Sequence, residues 1–267
     1  MKQGDVIRYR NELNDDFAEN GITAQKVGAD FPFCPKGFFW RIGEFIAYYL
    51  FAIPIVFVIC TLFGGMRFEN RREISRLLRK NGGRGAFLYA NHTHWLDAFV
   101  GPLAAFPYKA HVLVSPDTVS IKGIRAFVQM LGAIPVPTEK EAVRPFTDTI
   151  EERINEGRPI MIFPEAHIWP YCNFIRNFKS GSFRYPVKLG VPAFAVCVSY
   201  KRRRVLRFIK KPRRVVTVSR PFFPDTALPD PEAKQKLRRE VYEWLRKTAE
   251  EKSDYAYVTY IKQEDGE

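Results

Sequence analysis

A series of short apolar runs divides the second two thirds of the chain: Gly85–Ala90 (GAFLYA), His111–Ser115 (HVLVS), Gly132–Val136 (GAIPV), Pro159–Phe163 (PIMIF), Val191–Val198 (VPAFAVCV) and Arg213–Ser219 (RRVVTVS). Their length and their content of Val, Ile and Phe predict buried strands. Helical spacing separates several of them, over Pro145–Glu156 and Tyr185–Gly190. Strands alternating with helices predict an α/β domain built on a central sheet. A closing helix is predicted over Pro231–Lys252, opening after Asp230 as its cap with Pro231 at the first position.

The pattern upstream differs. From Phe45 to Met66 the chain reads FIAYYLFAIPIVFVICTLFGGM without one charge. At 1.5 Å per residue, about 20 residues match the roughly 30 Å hydrocarbon thickness of a bilayer. Pro54 near the centre predicts a kink or a shallow re-entrant hairpin. A buried core helix is the alternative. Arg67, Arg71, Arg72, Arg76, Arg79 and Lys80 follow directly, against Lys36 and Arg41 just before. The positive-inside tendency then places everything downstream in the cytoplasm. Trp40, Tyr48 and Tyr49 suit an interfacial belt. Residues 1–36 carry turn signals at Asn14, Asp15, Asp16, Pro32 and Pro35 and no signal-peptide pattern, and are expected to form a leader. The expected organisation is a leader over 1–36, a hydrophobic membrane-associated segment over 37–66 and an α/β domain over 67–267.

Composition narrows the partners. Among 267 residues, 42 Lys plus Arg stand against 29 Asp plus Glu, a formal charge of +13 that calls for a polyanion. A hydrophobic content of 46% is too rich for a disordered chain, and 27% charged residues exclude a polytopic membrane protein. A second basic cluster, KRRRVLRFIKKPRR over Lys201–Arg214, interleaves Val205, Leu206, Phe208 and Ile209 with the cations. Beside a membrane segment, an anionic lipid surface explains it more simply than nucleic acid, and no nucleic-acid partner is expected. A solvated hairpin is the plain alternative. Cys34, Cys60, Cys172 and Cys197 form no Cys-x-x-Cys pair, which fits a reducing compartment.

Candidate chemistry sits in NHTHWLD, Asn91–Asp97, directly after the first buried strand. His92 and Asp97 are five apart, so on a regular helix they would lie roughly 140° out of register. They can meet only across a turn, with a helix beginning near Trp95. Asp97 would then fix the imidazole tautomer and leave the other ring nitrogen as a general base. His94 and Asp97, three apart, form a rival pair, and a polar turn capped by Asn91 is the bland alternative.

A second string, IMIFPEAHIWPY over Ile160–Tyr171, places Glu165 and His167 at another strand end, where open α/β sheets carry ligand-contacting groups. Pro164 as a turn former beside a solvated Glu165 would also account for it. His92, His94, Asp97, Glu165 and His167 are possible metal ligands, so a metal-dependent hydrolase using His92, His94, Asp97 and His167 is an alternative function. The His-x-His-x-Asp-His spacing of metallo-β-lactamase-like hydrolases fails, because Leu96 and Asp97 fall where an acid and a histidine are needed.

These strings together resemble the four ordered blocks of the glycerolipid acyltransferase family, typified by bacterial 1-acylglycerol-3-phosphate (lysophosphatidic acid) acyltransferases. Asn91, His92 and Asp97 match its N-H-x-S-x-x-D; Gly132, Ile134 and Val136 match G-x-I-x-V-x-R; Phe163, Pro164 and Glu165 match F-P-E-G-T-R. Phe178, Lys179, Gly181 and Phe183 match F-K-x-G-x-F, and Val191, Pro192 and Val196 match the last block. The likeness covers about 85–198.

The resemblance implies a mixed central sheet flanked by helices, with 67–267 as the catalytic domain. It also implies transfer of an acyl chain from an acyl thioester, on coenzyme A or acyl carrier protein, to a lipid hydroxyl. The acceptor would be a lysophospholipid, 1-acylglycerol-3-phosphate above all, or another lipid. No metal or cofactor is implied, the thioester being a co-substrate. His92 would act as base and Asp97 would orient it. The second-block arginine falls at Thr138, and G-T-R falls at Ala166, His167 and Ile168, so both arginines tied to the acceptor phosphate are missing. A neutral side chain cannot replace bidentate phosphate recognition. Either the acceptor lacks that phosphate, or Lys140, Arg144, Arg176 or Lys179 takes over. His94, which replaces the first-block serine, together with Thr138, Glu165, His167 and Lys179, are the candidate substrate-binding positions.

Overall fold

The computed structural model describes residues 1–18, 21–121, 123–204 and 209–263. Its centre is a seven-stranded sheet in the order β2-β8-β7-β3-β6-β4-β5. The strands are β2 (Arg67–Glu69), β3 (Phe87–Ala90), β4 (His111–Val114), β5 (Ala133–Pro135), β6 (Ile160–Ile162), β7 (Ala193–Lys201) and β8 (Arg213–Val218). Every neighbouring pair is parallel except β7 with β8. The sheet is therefore mixed, as expected. Each run predicted as a strand holds one, usually shorter than the apolar run.

Both faces of the sheet are covered, which is why its strands are apolar without alternation. On β3, Phe87 and Tyr89 face one layer, with α6 (Val143–Asn155) and α8 (Asp230–Lys252), through Phe146, Ile150, Leu237, Val241 and Leu245. Leu88 and Ala90 face the other layer, with α3 (Arg72–Lys80) and α4 (Val100–Ala105), through Ile74, Leu78, Val100 and Leu103. Two shorter helices, α5 (Arg125–Met130) and α7 (Arg184–Leu189), complete the body. Gly190, in the left-handed region at φ 59°, ends α7.

The first residues are bound to this body. Strand β1 (Val6–Tyr9) pairs in parallel with β9 (Thr259–Lys262), Val6 opposite Thr259, and the two form a separate small sheet. Tyr9 and Phe17 pack on buried Trp169. The expected leader thus forms a wall over the strand-end loops. Within the basic cluster Lys201–Arg214, Val205, Leu206 and Phe208 lie outside the described residues.

The apolar segment is one helix over Phe38–Phe63, beginning seven residues before the charge-free run. It contains α1 (Phe38–Phe45) and α2 (Ile53–Val58), joined and followed by wider π-type turns over Ile46–Ala52 and Ile59–Phe63. Pro54 sits in the first turn of α2, directly after a π stretch, and the helix neither folds back nor breaks. That start lies inside the segment expected over 37–66, and Glu44, the charge that bounds the apolar run, turns its carboxylate inward to Lys109 and, at 3.0 Å, to Arg158. A stripe of Ala47, Tyr48, Val56 and Cys60 is buried against the body. The rest of the apolar surface is open, with Phe39 at 85%, Leu62 at 64% and Phe63 at 69% exposure. A buried core helix does not leave its apolar face uncovered, whereas a helix seated in a membrane interface does.

Replacing two outward residues, Leu50→Gln with Ile55→Gln, is expected to lower binding to anionic vesicles at least tenfold while shifting the melting temperature by no more than a few degrees. Inward Val56→Lys is expected to destabilise the fold instead, by about 3 kcal/mol or more. Co-sedimentation and thermal denaturation separate the two, and equal vesicle binding by the outward variant would contradict this role of the helix.

Candidate active site

Parallel strands β3 and β6 are neighbours, with Tyr89 opposite Ile162, so their C-terminal ends deliver NHTHWLD and FPEAH to one place. Asn91 fixes the first loop to β7: its amide donates to the Val198 carbonyl at 2.9 Å and accepts the Val198 N–H at 2.8 Å. The chain then turns through His92 and Thr93 into a 3₁₀ turn over Trp95–Phe99.

Asp97 has no solvent exposure and organises that turn. Its Oδ2 accepts the backbone N–H groups of Thr93 at 2.6 Å and His94 at 2.7 Å, and the Thr93 hydroxyl at 3.3 Å. The same oxygen lies 3.6 Å from Nδ1 of His92. That separation is ion-pair contact and too long for a hydrogen bond. Nδ1 of His92 and Oδ1 of Asp97 are both buried and carry no hydrogen bond. Bonds at catalytic pairs are commonly long before substrate arrives. The imidazole, 14% exposed, stacks on Phe163 with centroids 3.9 Å apart and planes 14° apart, which fixes its plane.

The rival pair does not form. His94 gives Asp97 its backbone N–H, while its ring Nδ1 accepts the Leu96 N–H at 3.1 Å, a reciprocal cap of the 3₁₀ turn. The ring proton of neutral His94 therefore resides on Nε2. Burial, and then the Arg214 charge, push its pKa down to about 4.

Glu165 braces the two loops. Its Oε2 accepts the His92 N–H at 3.0 Å and the Arg176 guanidinium at 3.0 Å, and its Oε1 accepts the Arg176 N–H at 3.0 Å. Burial raises the Glu165 pKa, and the Arg176 charge opposes that effect. Arg176, fully buried, also donates to the carbonyls of His167 and Glu12 and lies over Trp169. The loops are further tied by the N–H groups of Trp169 and Tyr171, donated to the carbonyls of His92 and Thr93. Ala166, where the family pattern has glycine, is held at φ 65°, the left-handed conformation that glycine adopts without strain.

The other positions singled out in the sequence do other work. Thr138 takes the Val27 N–H on its hydroxyl at 2.9 Å and gives its own N–H to the Val27 carbonyl, docking the leader. His167 pairs with Asp16 of the leader at 3.1 Å. Lys179, Lys140 and Arg144 are exposed, and the described contacts link none of them to His92 or Asp97. Arg176 is committed to Glu165. The metal-hydrolase alternative needs His92, His94, Asp97 and His167 to converge, and among the described residues no three acidic, histidine or cysteine side chains are grouped to hold a metal ion. Arg176 and Tyr200 are residues that sequence reasoning did not place in the brace. Tyr200 donates to the Thr93 hydroxyl at 2.7 Å.

The His94 cap predicts a pH dependence. A histidine whose folded pKa lies below its unfolded value of about 6.5 contributes stability fully present above pH 6.5 and lost as pH falls toward 4. His94→Asn keeps a capping acceptor that does not titrate, so its stability should fall less steeply in that window, by up to about 1.4 kcal/mol per pH unit. Urea denaturation at pH 4.5 and 7 checks this, and equal losses in both proteins would contradict it.

Comparison with known proteins follows the same loops. The family model described as Acyltransferase matches residues 65–199, just over half of the chain, and includes both strand-end loops. Among solved structures, the chain is similar to the 1-acyl-sn-glycerophosphate (LPA) acyltransferase PlsC from Thermotoga maritima, with 16% identity and a TM-score of 0.45, over 80% of this chain and 92% of that one. No curated protein matches. By the family match across its central sheet and both site loops, the chain belongs to the acyltransferase family.

Proposed function

We propose that this acyltransferase moves an acyl chain from an acyl thioester, on coenzyme A or acyl carrier protein, to a hydroxyl of a lipid acceptor at a membrane surface, with 1-acylglycerol-3-phosphate as the acceptor class. The observation that carries the proposal is the buried His92–Asp97 pair, with Nδ1 of His92 3.6 Å from Oδ2 of Asp97 across a turn whose donors that oxygen holds. In this mechanism Nε2 of His92, the ring nitrogen turned away from Asp97, takes the acceptor hydroxyl proton as the oxygen attacks the thioester carbonyl. Asp97 stabilises the imidazolium that forms. Collapse of the tetrahedral intermediate expels the thiolate, which recovers the proton from His92. The acyl ester and the free thiol are the products.

Two features support the acyl and lipid assignments. An apolar cavity of about 180 Å³ lies between the Phe38–Phe63 helix and the body, lined by Tyr48, Ile53, Val56, Phe99, Val114 and Val128. Phe99 belongs to the same 3₁₀ turn as Asp97, so a chain in the cavity would end near the base. The exposed apolar face of the helix would seat the enzyme in one leaflet, with the flanking basic residues holding the catalytic domain on the cytoplasmic face. An acceptor could then reach His92 without leaving the interface.

Purified protein supplied with labelled acyl thioester and lysolipids tests the assignment. His92→Ala should lower turnover at least about 10³-fold, and Asp97→Asn by about 10²- to 10⁴-fold. Asparagine retains an oxygen for the Thr93 and His94 N–H groups, so the melting temperature of that variant should stay within a few degrees of wild type. Turnover retained by His92→Ala would overturn the mechanism.

A further inference from the structure

Arg214 of β8 is 4% exposed, forms no ion pair among the described residues, and keeps its Nη1 buried without a hydrogen-bond partner. The charges of Arg214 and Asp97 both act on Cys60, His94 and Tyr200, so the guanidinium lies in the neighbourhood of the Asp97 carboxylate without forming an ion pair with it, and a buried guanidinium not so paired suits a further negatively charged group. Its location is specific. Arg214 is the register partner of Tyr200 in the antiparallel β7–β8 pair, which puts both side chains on one face of the sheet. Tyr200 reaches Thr93, the residue next to His92.

The guanidinium also lies against the turn that ends the membrane-seated helix. A Cβ at Gly64 would fall 2.5 Å from Nη2 of Arg214, and one at Gly65 would fall 2.9 Å from both terminal nitrogens of Arg203. The Gly64–Gly65 turn therefore leaves room for two guanidinium groups. Arg203 donates to the Phe63 and Lys211 carbonyls at 2.9 Å, which brings Lys211 to the same turn. Lys211 is exposed, Arg203 half-buried and Arg214 buried, so positive charge continues from solvent inward. Among the described residues none of these three cations has an acidic partner. Arg214 and Lys211 also both depress the His94 pKa, which locates them beside the reactive turn.

We propose that Arg214, with Arg203 and Lys211 at its rim, binds the phosphate monoester of the acceptor, in place of the arginines absent at Thr138 and Ile168. This rests on the acyl-transfer reading for its site and adds the groups that select the acceptor. All three cations lie beyond the stretch that matches the family model. Their position at the end of the apolar helix suits a headgroup held at bilayer level, with its glycerol hydroxyl directed toward His92.

The test compares 1-acylglycerol-3-phosphate with monoacylglycerol as acceptors for wild type, Arg214→Met and the rim double variant Arg203→Met/Lys211→Ala. The ratio of kcat/KM for the phosphorylated over the unphosphorylated acceptor should fall at least tenfold in Arg214→Met and at least threefold in the rim variant. Ratios within twofold of wild type in both would overturn the proposal, as would equal losses on the two acceptors, which would place Arg214 in support of the base. Should Arg214→Met fail to fold, the rim variant decides alone.

Calorimetric titration, which requires no turnover, separates this proposal from the acyl-transfer reading. Glycerol 3-phosphate supplies the soluble form of the ligand, and phosphatidylcholine vesicles with and without 1-acylglycerol-3-phosphate supply the lipid form. Binding that depends on the phosphate and is weakened in the variants upholds the site even if no acyl transfer is found. Turnover in wild type with no phosphate-dependent binding to either form overturns the site and leaves the acyl-transfer reading standing.

Discussion

A carboxylate shut away from solvent must find its donors in the chain around it, and Asp97 finds them in the turn it anchors. The N–H groups of Thr93 and His94 point at Oδ2 because the backbone reverses there, and the reversal persists because those donors are held. His92 is carried on the same turn. The placement of the His92 ring is thus a by-product of satisfying one buried carboxylate. The surrounding contacts, from Asn91 to β7 and from Tyr200 to Thr93, keep the turn registered on the end of β3.

A second buried charge, Glu165, does for the loop after β6 what Asp97 does for the loop after β3. It takes the His92 N–H on one side and Arg176 on the other, so the two loops cannot shift independently. The N-terminal residues close over this brace through Glu12, Asp15, Asp16 and Phe17. The helix over Phe38–Phe63 gives the body one narrow stripe and leaves most of its apolar surface uncovered. The turn that carries Asp97 thus adjoins the helix through Phe99, while the leader covers the loop after β6.

The sheet was legible in the sequence because strands buried on both faces show as continuous apolar runs, and GAFLYA, PIMIF and VPAFAVCV lie side by side in it. The His92–Asp97 pair was legible for a geometric reason: a five-residue separation excludes a shared helical face and leaves a turn. The brace was not legible, because Arg176 and Glu165 meet through a loop whose path no local pattern encodes. The parallel pairing of β1 with β9 was hidden for the same reason, joining residues near opposite ends of the chain. The start of the long helix falls within the segment expected over 37–66, and Glu44 inside it turns inward to cationic partners, so it interrupts the apolar run without interrupting the helix. His94 and His167 looked alike as candidates, yet one caps a turn and the other pairs with the leader. Residue type alone cannot separate such roles.

Nitrogen-15 NMR of histidine-labelled protein, with the His92 signals assigned by comparison with His92→Gln, tests most directly whether Asp97 sets the state of the base. Near pH 8 the account predicts His92 with its proton on Nδ1 and a bare Nε2, and a loss of that tautomer in Asp97→Asn. A proton found on Nε2, or a tautomer indifferent to the substitution at Asp97, would contradict it.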